Sequence, residues 1–333
     1  MEINMMKTSV SLVLCSVAYM NSYRASAVNL NYDNLSFLEK PIATHIGDTT
    51  IELNGLIDGA VDLDEDSNTD FVLTNRFQVN VETQLANSFT IGGTYLGEYV
   101  IDDENEYDGN IALYIGGVAG TVSLGDVTAL VQEETSRQSK VGNAELSFDS
   151  QLGGLADAGI TYTGRLGPSR YALTVDEDEN YSVGAVYQRP IGNKDYRLSF
   201  NYRDSRYETS DESMLFDSRG VHFVGALTYG STVYDFGLGL ERLSSDTVNV
   251  DRKYLSAGVS HKVGVLSLSA EAHVGDIDGQ QEVSYAVGAR YDIARGMSVN
   301  LGVNHSDSEV IVEGVNIVDE EDTRAILSFT YRF

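Results

Sequence analysis

The chain has 333 residues, a formal net charge of −28 at pH 7 and a single cysteine. A balance this acidic argues against a nucleic-acid partner, because phosphate binding needs a basic surface. The single cysteine excludes an internal disulfide. Beyond the N-terminal region, no run of about eighteen apolar residues predicts a transmembrane helix.

The N-terminal region is predicted to be a secretory signal peptide over residues 1–27. Lys7 precedes an apolar run at residues 10–20, and residues 25–27 are small, as signal peptidase requires. The run is too short to span a bilayer. A lipoprotein signal at Cys15 is the competing interpretation, but a bulky leucine precedes it. Removal of this segment would leave a cysteine-free chain with a net charge of −29, because Glu2, Lys7 and Arg24 would leave with it.

Residues 28–48 show no regular alternation, and we interpret them as an N-terminal extension of unknown role. From Thr49 onward, apolar and polar side chains alternate, which is typical of strands with two different faces. The first predicted strand covers 49–63. The other predicted strands cover 71–84, 89–100, 111–115, 121–125, 156–163, 169–175, 181–188, 195–204, 220–229, 232–243, 253–263, 265–274, 281–292, 297–305 and 323–333. About sixteen strands in residues 49–333 indicate one large all-β domain.

The last predicted strand, at 323–333, separates its two faces completely. Its apolar face carries Ala325, Leu327, Phe329, Tyr331 and Phe333, and its other face is polar. A soluble sandwich would bury the apolar face in a dry core. In a transmembrane barrel the apolar face contacts lipid and the polar face lines a wet interior.

The connections between the predicted strands decide between these alternatives. They alternate between short turns and longer loops, as in bacterial outer-membrane barrels. Acidic residues concentrate in the long connections, at 62–70, 175–180, 204–217 and 307–322, whereas the short ones hold Arg165, Arg189, Lys194 and Arg295. A soluble protein has no reason to sort charge in this way. The sequence therefore predicts an all-β transmembrane antiparallel β-barrel in the outer membrane.

Three stretches of this chain resemble the Gram-negative general porins, in particular the alphaproteobacterial type. They are IELNGLIDGAVDL at 51–63, YIGGVAGTVSLGD at 114–126, and the last strand with its final phenylalanine. The resemblance implies a homotrimer of sixteen-stranded barrels. It also implies that the long connection after residue 126 is a third loop that folds into the barrel and narrows it.

The polar face implies a water-filled channel for passive diffusion of small hydrophilic solutes and ions, because about sixteen strands leave an open lumen. The negative charge predicts mild cation selectivity, although it is equally compatible with adaptation to a saline habitat. The porin resemblance places loop acids opposite basic wall residues at a constriction. The matching positions are Asp126, Glu133 and Glu134 on the loop, with Arg76 and Arg324 on the wall. The simpler interpretation of Glu133 and Glu134 is that they are solvated loop charges.

Two other functions stay open, namely a substrate-selective channel of the same fold and a non-conducting structural or adhesive barrel. We expect no enzyme activity and no cofactor, because no HExxH spacing occurs and the acids at 62–68 lack the glycine and closing glutamate of an EF-hand. Weak Ca²⁺ or Mg²⁺ bridging between external acids and lipopolysaccharide is an open alternative. The expected surroundings are outer-membrane lipid and lipopolysaccharide.

Overall fold

The computed structural model describes residues 42–63, 69–85, 88–101, 106–126, 135–156, 158–209, 214–245, 247–312 and 315–333. Among these residues, no helix is long and apolar enough to cross a membrane. The strands are β1 (Ile42–Ile46), β2 (Thr49–Leu63), β3 (Thr69–Gln84), β4 (Thr90–Ile101), β5 (Glu106–Gly117), β6 (Gly120–Asp126), β7 (Ala158–Leu166), β8 (Ser169–Asp176), β9 (Tyr181–Ile191), β10 (Lys194–Glu208), β11 (Leu215–Tyr229), β12 (Thr232–Ser244), β13 (Asn249–Val263), β14 (Leu266–Ile277), β15 (Gln280–Ala294), β16 (Met297–Val312) and β17 (Val315–Arg332).

The strands β2 to β17 form one closed antiparallel ring. Each strand pairs with the next along the chain, and β17 returns to pair with β2, from Ala325 opposite Leu63 to Arg332 opposite Leu56. Every strand predicted from the sequence overlaps one strand of this ring. The prediction of an all-β antiparallel barrel of about sixteen strands is therefore confirmed.

The two faces of the ring differ in both chemistry and exposure. On β17, Leu327 and Phe329 are 50% and 45% exposed, whereas Ser328 and Thr330 between them are 3% and 6% exposed. The concave side of a closed sheet is the shielded one, so the polar side chains face the interior. The apolar side chains face outward, as the outer surface of a membrane-spanning barrel requires.

One end of the barrel, which we call the turn end, carries mostly two-residue turns. Gly192 and Gly230 hold φ angles of 64° and 60° there, a region that glycine reaches without steric cost. The other end, the loop end, differs from the prediction. Residues 204–217 and 307–322 are not mainly loops, because β10 and β11 run to Glu208 and from Leu215, and β16 and β17 extend to residues 312 and 315. Backbone hydrogen bonds between strands do not require an apolar face. These acidic extensions therefore form strands without the apolar–polar alternation that predicts a strand.

A short strand, β1, precedes the ring. Its five residues pair with Thr49–Leu53 of β2, next to the stretch of β2 where β17 ends. Residues 42–46, which we assigned to an extension without strands, therefore belong to the sheet. The predicted signal peptide and residues 28–41 of the extension lie outside the described residues.

The seam between β17 and β2 ends on an aromatic residue packed over a glycine. Gly55 and Phe333 exchange two backbone hydrogen bonds, at 2.9 and 3.0 Å. The Phe333 ring occupies the space that a Cβ atom on Gly55 would need. An aromatic ring that covers a strand glycine compensates for the missing side chain. The stability of the seam thus depends on both Gly55 and Phe333.

We expect Gly55→Ala to destabilise the seam by about 1–3 kcal/mol, because the added methyl group displaces the Phe333 ring. The check is the temperature at which the folded band converts to the unfolded band on a gel. Gly59→Ala on the same strand is the matched control, since its nearest new neighbour, a Leu73 methyl group, lies 3.7 Å away. Equal effects of the two substitutions would contradict this account.

Candidate pore-lining site

Residues 135–156, the described part of the long connection between β6 and β7, lie along the inner face of the barrel. We call them the lumenal segment. The Ser199 hydroxyl of β10 donates to the Thr135 carbonyl at 3.1 Å. The Asn143 side-chain amide donates to the Ile326 carbonyl of β17 at 3.3 Å. The lumenal segment therefore covers the wall from β10 to β17.

Two buried acids on the wall hold the backbone of the lumenal segment. Asp235 accepts the amides of Gln138 and Ser139 at 2.5 and 2.6 Å. Glu241 on the same strand, β12, accepts the amides of Leu152 and Gly153 at 3.1 and 3.2 Å. Hydrogen bonds to an ionised acceptor are stronger than neutral ones, so these two acids fix both ends of the segment's path.

A row of inward-facing glycines provides the space for this path. A Cβ atom at any of these positions would clash with, or closely approach, atoms of the lumenal segment. At Gly288 and Gly302 the obstructed atoms are backbone atoms of Val141 and Asn143, which cannot move aside independently. We call this row the glycine track, and it consists of Gly220, Gly237, Gly258, Gly288 and Gly302. The close approach of two backbones is a recognised use of glycine within strands.

Arg252 is the centre of the charged cluster beneath the segment, and it is 1% exposed. Its guanidinium contacts Glu241 at 2.9 Å and Glu282 at 2.8 Å. It also donates to the Ser150 and Phe148 carbonyls of the lumenal segment. Arg252 therefore satisfies two buried carboxylates and two segment carbonyls at once.

Arg137, which lies on the lumenal segment, is the centre of a second charged cluster. Its guanidinium pairs with Glu271 and lies 3.4 Å from Asp235. The buried charges on the segment and on the wall beneath it include arginines and acids in equal number, so they neutralise one another. They are Arg137, Arg197, Arg203, Arg252, Asp235, Glu241, Glu271 and Glu282.

The opposite wall, β2 to β8, has a different charge balance. On its described inner face, acids outnumber arginines. Asp176 accepts the Ala156 amide of the lumenal segment at 2.7 Å. Water or solutes in the lumen therefore meet a predominantly acidic surface on this side. The inner-facing charges there include Glu52, Asp58, Asp62, Glu82, Glu98, Asp108 and Asp176, with Arg76, Arg165 and Arg170.

The predicted wall arginines both face inward but do not lie together. Arg76 forms a bidentate pair with Glu98, at 2.7 and 3.0 Å. Arg324, whose side chain is 56% exposed, pairs with Asp322. Ala325, the neighbour of Arg324, pairs with Leu63, whereas Arg76 pairs with Leu56, so the two arginines are more than seven residues apart along the strands, about 23 Å or more at the strand rise. These two arginines therefore cannot act at the same level of the lumen.

Of the three predicted loop acids, the structure describes only the backbone of Asp126. The backbone of Asp126 ends β6 opposite Ala158, and its side chain, like Glu133 and Glu134, lies outside the described residues. Across the described ranges, no three His, Cys, Asp or Glu side chains are placed to hold a metal ion.

Sequence reasoning missed Asp235, Glu241, Arg252 and Arg137 as site residues. Each of the first three follows the alternation on an inner strand face, so it was detectable as lumen-facing. Their partners, however, are backbone groups about 90 to 100 residues away, such as Gly153 for Glu241 and Ser139 for Asp235. A local pattern carries no information about such contacts.

Comparison with solved structures finds barrels of the same architecture. OmpT, an outer-membrane protein of Vibrio cholerae in its trimer form, superimposes with a TM-score of 0.68 at 13% identity, covering 86% of this chain and 99% of that one. An anion-selective porin from Comamonas acidovorans gives 0.63 at 14% identity, covering 86% and 100%. A triple mutant of a Rhodobacter blastica porin gives 0.59 at 17%, covering 85% and 100%.

The fold is that of an outer-membrane porin barrel. No family model matches the chain, and no curated protein matches it by sequence. At this level of identity the porin fold is what is shared. One structure with this fold is described as anion-selective.

Proposed function

We propose that the protein is an outer-membrane porin that forms a water-filled channel for passive diffusion of small hydrophilic solutes and ions. The observation that supports this most strongly is the closed ring of sixteen strands with a polar inner face. Small barrels fill their interior with side chains, whereas a ring of this size leaves room for water. The described part of the long connection, residues 135–156, contacts mainly the β10–β17 side, and in this proposal solutes pass along the β2–β9 side.

The channel is mildly cation-selective in this proposal. Acids predominate on the inner face of β2–β8, while the charges of β10–β17 neutralise one another. A channel lined by one sign of charge concentrates the opposite ions. Asp126, Glu133 and Glu134 on the loop, with Arg76 and Arg324 on the wall, complete the proposed set of selectivity charges. Because the arginines lie at different levels, they would act at different depths.

The test is the reversal potential of single channels in a planar bilayer under a KCl gradient. We expect K⁺ to permeate roughly two to five times more readily than Cl⁻. This preference weakens as the salt concentration rises and screening shortens the range of the charges. A reversal potential of the anion-selective sign would contradict the assignment of acids to the permeation path.

Channel conductance and liposome swelling separate the alternative functions. A barrel without conductance would be structural or adhesive. Liposome swelling with sugars of graded size distinguishes a general porin, which admits all sugars below a size limit, from a substrate-selective channel, which admits one class. Neither a catalytic group nor a cofactor is needed for diffusion.

The assembly we propose is a homotrimer embedded in outer-membrane lipid and lipopolysaccharide. The Vibrio cholerae neighbour is described as a trimer, and the exposed apolar outer face offers a surface for both lipid and a second copy. Weak Ca²⁺ or Mg²⁺ bridging between lipopolysaccharide and acids at the loop end is part of this proposal. Chemical cross-linking of protein in detergent, resolved on gels, measures the copy number.

A further inference from the structure

The inner face of the barrel is largely polar, but buried apolar side chains gather at the loop end of β11 to β17. There, buried apolar side chains form one cluster on the inner side, and all are at most 8% exposed. We call it the mouth cluster. It consists of Phe216, Leu243, Val248, Val250, Ile277, Val310, Val312, Ile317 and Val318. An apolar patch of this kind on the wet face of a barrel has no role in a wide, open mouth.

The mouth cluster is continuous with the lumenal segment below it. Phe148 and Leu152 pack against it from the segment, and Tyr207 and Met214 pack against it from the ends of β10 and the adjoining connection. The cluster therefore lies directly over the Arg252 network. Together they form an apolar layer above a charged layer on the same side of the lumen.

The extended β16–β17 hairpin supplies four members of the mouth cluster and reaches across the barrel. The Tyr207 hydroxyl of β10 donates to the Ile317 carbonyl of β17 at 2.7 Å. Around the ring, β10 and β17 are seven strands apart in one direction and nine in the other. They therefore stand on nearly opposite sides, and their direct contact requires the hairpin to lean over the mouth.

We propose that the β16–β17 hairpin is a size-selecting cover over half of the external mouth. Packed on the mouth cluster, it closes the half of the lumen bounded by β10–β17. Solutes then enter only along the acidic wall of β2–β9, and the hairpin sets the largest solute that passes. This inference rests on the proposed function, since it concerns a restriction of the same channel. The proposed cover places a size limit at the mouth, in addition to any limit that the lumenal segment sets.

The experiment shortens the hairpin. Residues 310–318 are replaced by an Asn-Gly turn that joins Glu309 to Asp319, which are partners in the ladder. Single-channel conductance and liposome swelling with graded sugars are compared with the unaltered protein. Because the lumenal segment still lies on the β10–β17 side below the mouth, we expect a measurable rise in conductance that stays below about twofold, and we expect larger sugars to be admitted.

Point variants keep the test informative if the shortened protein does not fold. Ile317→Ser places a hydroxyl in the mouth cluster, where the side chain is fully buried. Ile311→Ser changes the same residue type on the same hairpin, but this side chain is 48% exposed. We expect the first variant to raise conductance and admit larger sugars, and the second to leave both unchanged.

The outcomes distinguish the two proposals. If the unaltered protein conducts and neither the shortened hairpin nor Ile317→Ser changes conductance or the sugar limit, the cover is refuted and the porin function stands. If the unaltered protein is silent and the shortened form conducts, the hairpin is a complete cover. If both are folded and silent, the porin function fails, and the cover fails with it.

Discussion

Arg252→Met is expected to destabilise the barrel by about 3–5 kcal/mol, because it removes the guanidinium that pairs with the buried carboxylates of Glu241 and Glu282. The substitution also removes the two guanidinium N–H groups that donate to the Phe148 and Ser150 carbonyls of the lumenal segment. The measurement is the midpoint of urea unfolding in detergent, followed by circular dichroism since the chain has no tryptophan.

Arg242→Met is the matched control. Arg242 on the neighbouring strand also contacts a carboxylate at 2.7 Å, that of Asp251, but both side chains are more than 60% exposed. Exposed pairs contribute at most about 1 kcal/mol. Adding Glu241→Gln and Glu282→Gln to Arg252→Met should recover part of the loss, because the buried negative charges then disappear. Equal midpoints for Arg252→Met and Arg242→Met would refute the structural role of the buried network.

The double substitution Gly288→Ala and Gly302→Ala is expected to push the lumenal segment off the wall. The new methyl groups occupy the space of the Val141 and Asn143 backbone atoms. Overpacking costs about 1–3 kcal/mol at each site, and the segment can yield more easily than the ring. We therefore expect a folded barrel with reduced, noisier single-channel conductance and new protease cleavage within residues 135–156.

Gly116→Ala controls for the loss of an inner-face glycine elsewhere. Gly116 faces inward on β5, and its nearest new neighbour would be the Thr121 hydroxyl at 3.0 Å. This variant should keep both the conductance and the protease resistance of the unaltered protein. If the double variant behaves in the same way, the glycine track does not position the segment.

Most of the ring was predictable from the sequence because strand alternation is a local signal. Residues such as Leu327 and Ser328 reveal their faces through their immediate neighbours. The extensions at 306–312 and 315–322 were not predictable, since beyond the lipid band both faces of a strand can carry acids. The short strand at 42–46 was missed because all of its residues are exposed, so no alternation marks it.

The site was less predictable than the ring. The polar side chains of Arg203 and Glu271 were identifiable as lumen-facing, but the contacts that organise the site join distant residues. Arg252, for example, contacts carbonyls 102 and 104 residues away. The roles of Asp126, Glu133, Glu134, Arg76 and Arg324 in selectivity stay predictions, which the reversal-potential measurement tests.

The seam has a consequence for how the barrel assembles. Thr330 of β17 hydrogen-bonds to Asp58 of β2, and the two residues are 272 positions apart in the chain. Bringing such distant strands together carries a large entropic cost and is slow. Until that meeting, β2 and β17 each present a free edge that can pair with another chain. A factor that shields both edges until the last strand docks would prevent such mispairing in nascent molecules.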